Sequence, residues 1–214
     1  MRKLLVVLQM LVVGIAAWWV QNPFLSADEQ LVIAAQLDNP RLLREALASG
    51  ASVEARDNLG ISALMWAASA DDEDLVEELL AAGAPVSARY GSRDTALCFA
   101  ARNNAARAVK TLLAAGAQVD ERGFQDFTSL HIAAASSSVE AARVLLAHGA
   151  DVNARDASGQ TPLSIAADCQ SSDAMMQLLI ENGGDLYAVA PQRVDGYAAT
   201  VSSTSAGTRR RLMR

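Results

Sequence analysis

Histidine and cysteine are almost missing from this 214-residue chain, with two of each. A zinc site needs several such ligands at short, regular spacings; His131, His148, Cys98 and Cys169 stand apart and offer none. The chain also lacks a glycine-rich phosphate loop and a pair of carboxylates set for acid–base work, and neither histidine has the spacing to a serine, cysteine or carboxylate that marks a triad. These absences argue against an enzyme, and no cofactor or metal is expected. Aromatic residues make up only 5% of the chain, and basic charge is scarce where it would matter most. Residues 28–190 carry 11 Lys/Arg against 23 Asp/Glu, a balance of −12. An acidic body of this kind excludes nucleic acid as the main partner, because phosphate binding depends on counterion release by a basic surface.

What the chain does have is a beat. Leu31, Leu64, Leu97, Leu130 and Leu163 are each 33 residues apart and open the similar segments LVIAAQL, LMWAASA, LCFAARN, LHIAAAS and LSIAADC. Gly-Ala pairs begin at Gly50, Gly83, Gly116 and Gly149, and leucine pairs at Leu79, Leu112, Leu145 and Leu178. A period of this size is the signature of stacked supersecondary units. Ser62, Thr95, Thr128 and Thr161 stand where a hydroxyl caps the first helix of each unit, and Pro162 suits a first helical turn. The glycines stand where a helix ends on a left-handed residue. Helices of two to three turns are not stable alone in water, so each unit must lean on its neighbours.

The segments TSLHIAA from Thr128, TPLSIAA from Thr161 and LLAHGADVNARDASGQTPL from Leu145 resemble the ankyrin repeat. The resemblance covers about 28–190, with repeats at 28–60, 61–93, 94–126, 127–159 and 160–190. It implies an all-α solenoid of helix-turn-helix pairs with projecting β-turn or hairpin fingers, used for binding protein partners. The first repeat departs from the pattern by carrying Glu29 in place of the threonine. The resemblance further implies that His131 hydrogen-bonds between neighbouring units. His148 suits a helix C-terminus, and the acidic run Asp71 to Asp74 suits a helix N-terminus better than a calcium loop.

Alignment in register assigns the core. Trp66 shares its column with Ile33, Phe99, Ile132 and Ile165, all large and apolar, so this column is expected to face the stack. Met65 shares a column with Val32, Cys98, His131 and Ser164, and that variety reads as a less demanding position. Cys98 and Cys169 lie two repeats apart, nearly 20 Å at about 8 to 10 Å per packed helix, too far for a disulfide; both are expected as free thiols.

The two ends differ from the body. Arg2 and Lys3 precede a run from Leu4 to Val20 broken only by Gln9. Residues 1–27 therefore read as an N-terminal hydrophobic helix, either a retained membrane anchor or a cleaved signal peptide. The seventeen-residue run falls between the usual lengths of the two, and Trp18 and Trp19, suited to a membrane interface, favour the anchor. Either way the repeats are exported, giving a periplasmic or secreted module that contacts the membrane through its N-terminus. Residues 191–214 lose the beat and end in Arg209, Arg210, Arg211 and Arg214, a degenerate cap or a disordered basic tail.

Candidate partner-binding residues come from turns that break the pattern. Tyr90, Arg93, Phe124 and Phe127 replace ordinary turn residues in the second and third fingers, and aromatics and arginine dominate interface energies. The phenylalanines have the alternative of folding back onto the stack. Arg56, Arg89, Arg122 and Arg155 recur every 33 residues as a basic row suited to an acidic or amphipathic segment. By resemblance to the family's binding face, Arg102, Asn103, Ala135, Ser136, Asp168 and Cys169 complete the set. The reading is a monomeric, non-catalytic protein-binding module; the alternative is an accessory or inhibitory subunit of an extracytoplasmic enzyme.

Overall fold

The computed structural model describes residues 25–91 and 94–185. The N-terminal hydrophobic run and the arginine-rich tail lie outside these residues. No helix among the described residues is long and apolar enough to cross a membrane.

Five helix pairs follow one another: α1 (Ala27–Gln36) with α2 (Pro40–Ala48), α3 (Ala63–Ala70) with α4 (Glu73–Ala81), α5 (Ala96–Arg102) with α6 (Ala106–Ala114), α7 (Ser129–Ala135) with α8 (Val139–Ala147), and α9 (Pro162–Asp168) with α10 (Asp173–Glu181). The first helices pack in one row and the second helices in another. All five landmark leucines, Leu31, Leu64, Leu97, Leu130 and Leu163, are buried in one continuous core. Alanine fills much of the remainder, which lets short helices approach closely.

The helix ends follow the expected chemistry with one exception. Ser62, Thr128 and Thr161 each accept an N–H from the third residue of their helix. Thr95 does not; its hydroxyl turns toward the Cys98 sulfur at 3.7 Å. Glu29, the odd residue of the first repeat, sits one turn into a longer α1, where it closes a capping box with Ser26. At Gly50, Gly83, Gly116 and Gly149 the backbone is left-handed, with φ between 85° and 96°, so the helices end as glycine allows.

Two expectations about register need correction. In repeat two Met65 is fully buried where Trp66 is half-buried against the core, while Phe99, Ile132 and Ile165 of the Trp66 column are buried as expected. The whole Met65 column is inside, Val32, Cys98, His131 and Ser164 included, because its polar members find partners there. Trp66 is half-buried and donates its indole N–H to Asp57 Oδ2 at 3.0 Å. The second correction is a one-residue slip in repeat five. Its second helix starts at Asp173, its left-handed glycine is Gly183 rather than residue 182, and Leu179 is more deeply buried than Leu178.

A further column joins the repeats sideways. Asp38, Asp71, Asn104, Ser137 and Gln170, 33 residues apart between the paired helices, all have φ between 53° and 60°. Four of these side chains reach the second helix of the next unit: Asp38 bonds to the side chain of the N-cap Asp72, and three accept backbone N–H groups. Asp71 Oδ1 accepts the N–H of Ala108 at 2.9 Å, Asn104 Oδ1 those of Glu140 and Ala141 at 2.9 and 3.0 Å, and Ser137 Oγ that of Ser172 at 2.9 Å. α6 and α8 receive no cap from their own N-cap side chains. The preceding repeat supplies it.

Candidate functional site

Four fingers project between successive repeats. The first and last are turns closed by aspartate: Asp57 Oδ1 accepts the N–H groups of Leu59 and Ile61, and Asp156 Oδ1 those of Ser158 and Gln160. Gly60 and Gly159 supply the left-handed residue of each. The second finger is a short hairpin, β1 (Arg89–Tyr90) against β2 (Asp94–Thr95). In the third, Gly123 N–H bonds to the Phe127 carbonyl at 2.8 Å, with left-handed Gln125 and Asp126 between.

The arginine row is bound into the fold. Arg56 Nη1 donates to the carbonyls of Gly60 and Arg89 at 2.8 and 2.9 Å. Arg122 Nη1 repeats this with Asp126 and Arg155, at 3.3 and 2.7 Å. Arg89 reaches the Arg122 carbonyl and pairs with Glu121, and Arg155 bonds to Gly159. Each of the first three arginines thus ties its finger to the carbonyl of the next arginine in the row. This is the structural use that makes a periodic basic residue weak support for an acidic ligand.

The aromatic residues divide. Phe124 stands outward, 58% exposed. Tyr90 is half-buried, meeting Phe99 edge-on at 5.7 Å between ring centres. Phe127 folds back, stacked on His131 at 5.6 Å and 14°. Arg93 lies outside the described residues. Beside Tyr90, Arg102 lies 5.8 Å over the Phe99 ring and 3.2 Å from Asp94. Asp94 also accepts the N–H of Phe124 at 3.3 Å. A Cβ on Gly123 would stand 2.8 Å from that same carboxylate, so a side chain at 123 would push Asp94 away from the third finger.

The inner-face candidates line up below these fingers. Arg102, Asn103, Ser136, Asp168 and Cys169 are exposed and Ala135 is half-buried. Asn103 donates to the Phe99 carbonyl, and Asp168 accepts from Gln160. Cys98 and Cys169 are free thiols; burial pushes the Cys98 thiol up from its ordinary pKa, away from reactivity. Leu59, 70% exposed at the first fingertip, went unremarked in the sequence. Its column holds Ser92, Gln125 and Ser158, and a lone leucine among polar residues was the signal. Leu59 borders a groove of about 390 Å³ against α1, lined also by Leu25, Val32, Ile33 and Arg56.

Short helix pairs stacked into one core, with locked fingers along one edge, define a repeat solenoid that presents an extended recognition surface. A family model described as ankyrin repeats (3 copies) matches residues 31–123 and again 119–190. The chain belongs to the ankyrin repeat family, and as such is a protein–protein interaction module of a generally non-catalytic kind. No curated protein matches it.

Proposed function

We propose that this module captures a protein partner across its second and third fingers, with Phe124 as the anchor and Tyr90, Arg102, Asn103 and Ser136 around it. The observation that carries this reading is an exposed aromatic ring on a turn held by hydrogen bonds from both neighbouring fingers and across its own closure. The Phe124 N–H is held by Asp94, residues 123 and 127 close the turn, and the Gln125 carbonyl accepts the N–H of Ala157 from the fourth finger. A large side chain presented on a fixed support binds without the ordering cost that a loose loop would add. The arginine row contributes by fixing the spacing of the fingers, and Arg56, Arg122 and Arg155 remain exposed at their margins.

The N-terminal run from Leu4 to Val20 supports export, with the repeats held at or near the outer membrane surface or released beyond it. Protease treatment of intact cells, of cells with only the outer envelope opened and of fully lysed cells tests this: repeats digested only after full lysis would place them on the inner side. Partner capture is tested with Phe124→Ala, which should abolish it while leaving the thermal unfolding curve in place. Activity of any captured enzyme, with and without the module, separates a recognition subunit from an inhibitor.

A further inference from the structure

We propose that His131 is an acid-sensitive latch, whose protonation unseats the joint between the fourth and fifth repeats and frees the ring of Phe127. The imidazole is fully buried, and both its nitrogens are engaged in opposite senses. Nδ1 stands 3.1 Å from the N–H of Thr128 and 2.8 Å from its hydroxyl. Nε2 stands 3.1 Å from the carbonyl of Gln160, in the next repeat. A backbone N–H can only donate and a carbonyl can only accept, so the ring must be neutral with its hydrogen on Nε2. A second proton, on Nδ1, would face the Thr128 N–H. That buried amide would then have no acceptor, and the capping box of α7 would open at the point where the chain leaves the third finger.

Three elements meet at this ring. Phe127 stacks on it from the third finger, Gln160 holds it from the base of the fourth, and Thr128 joins it to the start of α7. The charged groups that act on it are Asp156 of the fourth finger, which favours the proton, and Arg122 of the third, which opposes it. α5, on the opposite side, brings the buried Cys98 thiol to within 3.8 Å of Ser129. Burial outweighs Asp156 and holds the imidazole below its ordinary pKa. The native protein therefore binds fewer protons here than the unfolded chain, and the contribution of this group is lost as pH falls below about 6.5. The same column in the other repeats holds Val32, Met65, Cys98 and Ser164, none of which gains charge in this range. The latch is confined to one joint.

Ser164 shows how the joint can be made insensitive: its Oγ accepts the Thr161 N–H at 2.8 Å, the bond that Nδ1 makes in repeat four. His131→Ser therefore keeps a cap and removes the titration, and His131→Met, which copies repeat two, is a second background. If Phe127 borders the partner face, as the proposed function has it, acid would also weaken capture. The test needs no partner and so stands or falls separately from that role. Amide exchange of the full chain is measured between pH 7.5 and 5, corrected for the intrinsic pH dependence of exchange. In the native sequence, protection at residues 125–131 and 156–161 should fall by up to about tenfold per pH unit, while residues 106–114 hold theirs. His131→Ser and His131→Met should abolish the local fall. Unchanged protection in the native sequence, or an equal fall in the variants, would overturn the latch.

Discussion

The side-chain oxygen of Asn104 stands 2.9 Å from the N–H of Glu140, 36 residues further on. It accepts the N–H of Ala141 as well, so a residue of one repeat caps a helix of the next. The stack is thereby joined by directional bonds as well as by its core. Registry between units depends on these loops as much as on the leucines.

This relationship predicts the effect of losing the cap. Asn104→Gly keeps the left-handed backbone, with φ 56° in the native chain, and removes both bonds. It should lower stability by about 1 kcal/mol, the usual net worth of a lost hydrogen bond, read by urea unfolding. Asn104→Ala should cost more, because alanine is strained in that conformation. Equal stability of all three chains would mean the lateral cap is ornamental.

The two third-finger phenylalanines should separate binding from stability. Phe124→Ala removes an exposed ring and should change unfolding free energy by less than about 0.5 kcal/mol. Phe127→Ala strips the cover from His131 and should cost more than that, with its exchange protection reduced around Thr128. Should Phe124→Ala prove the more destabilising of the two, its ring is part of the core and not an anchor.

Asp38 predicts a stabilising change. Its carboxyl hydrogen-bonds that of Asp72, which raises its pKa to about 6, with burial adding to the shift. Asp72 caps α4 through the N–H of Leu75 and is held below the usual range by the same hydrogen bond, so the shared proton belongs to Asp38. The folded state binds that proton more tightly than the unfolded chain, and stability from this group declines as pH rises from about 4 to 6. Above that range two carboxylates face each other. Asp38→Asn, copying Asn104 in the same column, should add up to about 1 kcal/mol at pH 7 after solvent screening and less at pH 5. Urea unfolding at both values checks the sign; a loss of stability at pH 7 would refute it.

The architecture was legible because a 33-residue beat carries both spacing and chemistry, and the leucine, glycine and hydroxyl columns need no tertiary context to read. Side-chain direction was less so. The uniformly apolar column is buried at Phe99, Ile132 and Ile165, but the variety of the adjacent Met65 column hid that it is buried too, since a buried column tolerates histidine or serine when hydrogen bonds satisfy them. The slip in repeat five left Leu178 in phase while the helix moved by one residue. In the candidate site, unusual residues picked out the second and third fingers, but sequence could not distinguish Phe124, which stands out, from Phe127, which stacks on His131 four residues on. The arginine row was visible, while the carbonyls that occupy it belong to the backbone and leave no trace in residue identity.

The recognition role is tested most directly by a photo-crosslinking amino acid placed at position 124 in living cells, with a matched chain carrying it at exposed Lys110 on the second-helix face. The account predicts one discrete protein adduct from position 124, lost when Tyr90 and Arg102 are also changed to alanine in a chain that still unfolds cooperatively, and none of that adduct from position 110. The same adduct from both positions, or from position 110 alone, would contradict it.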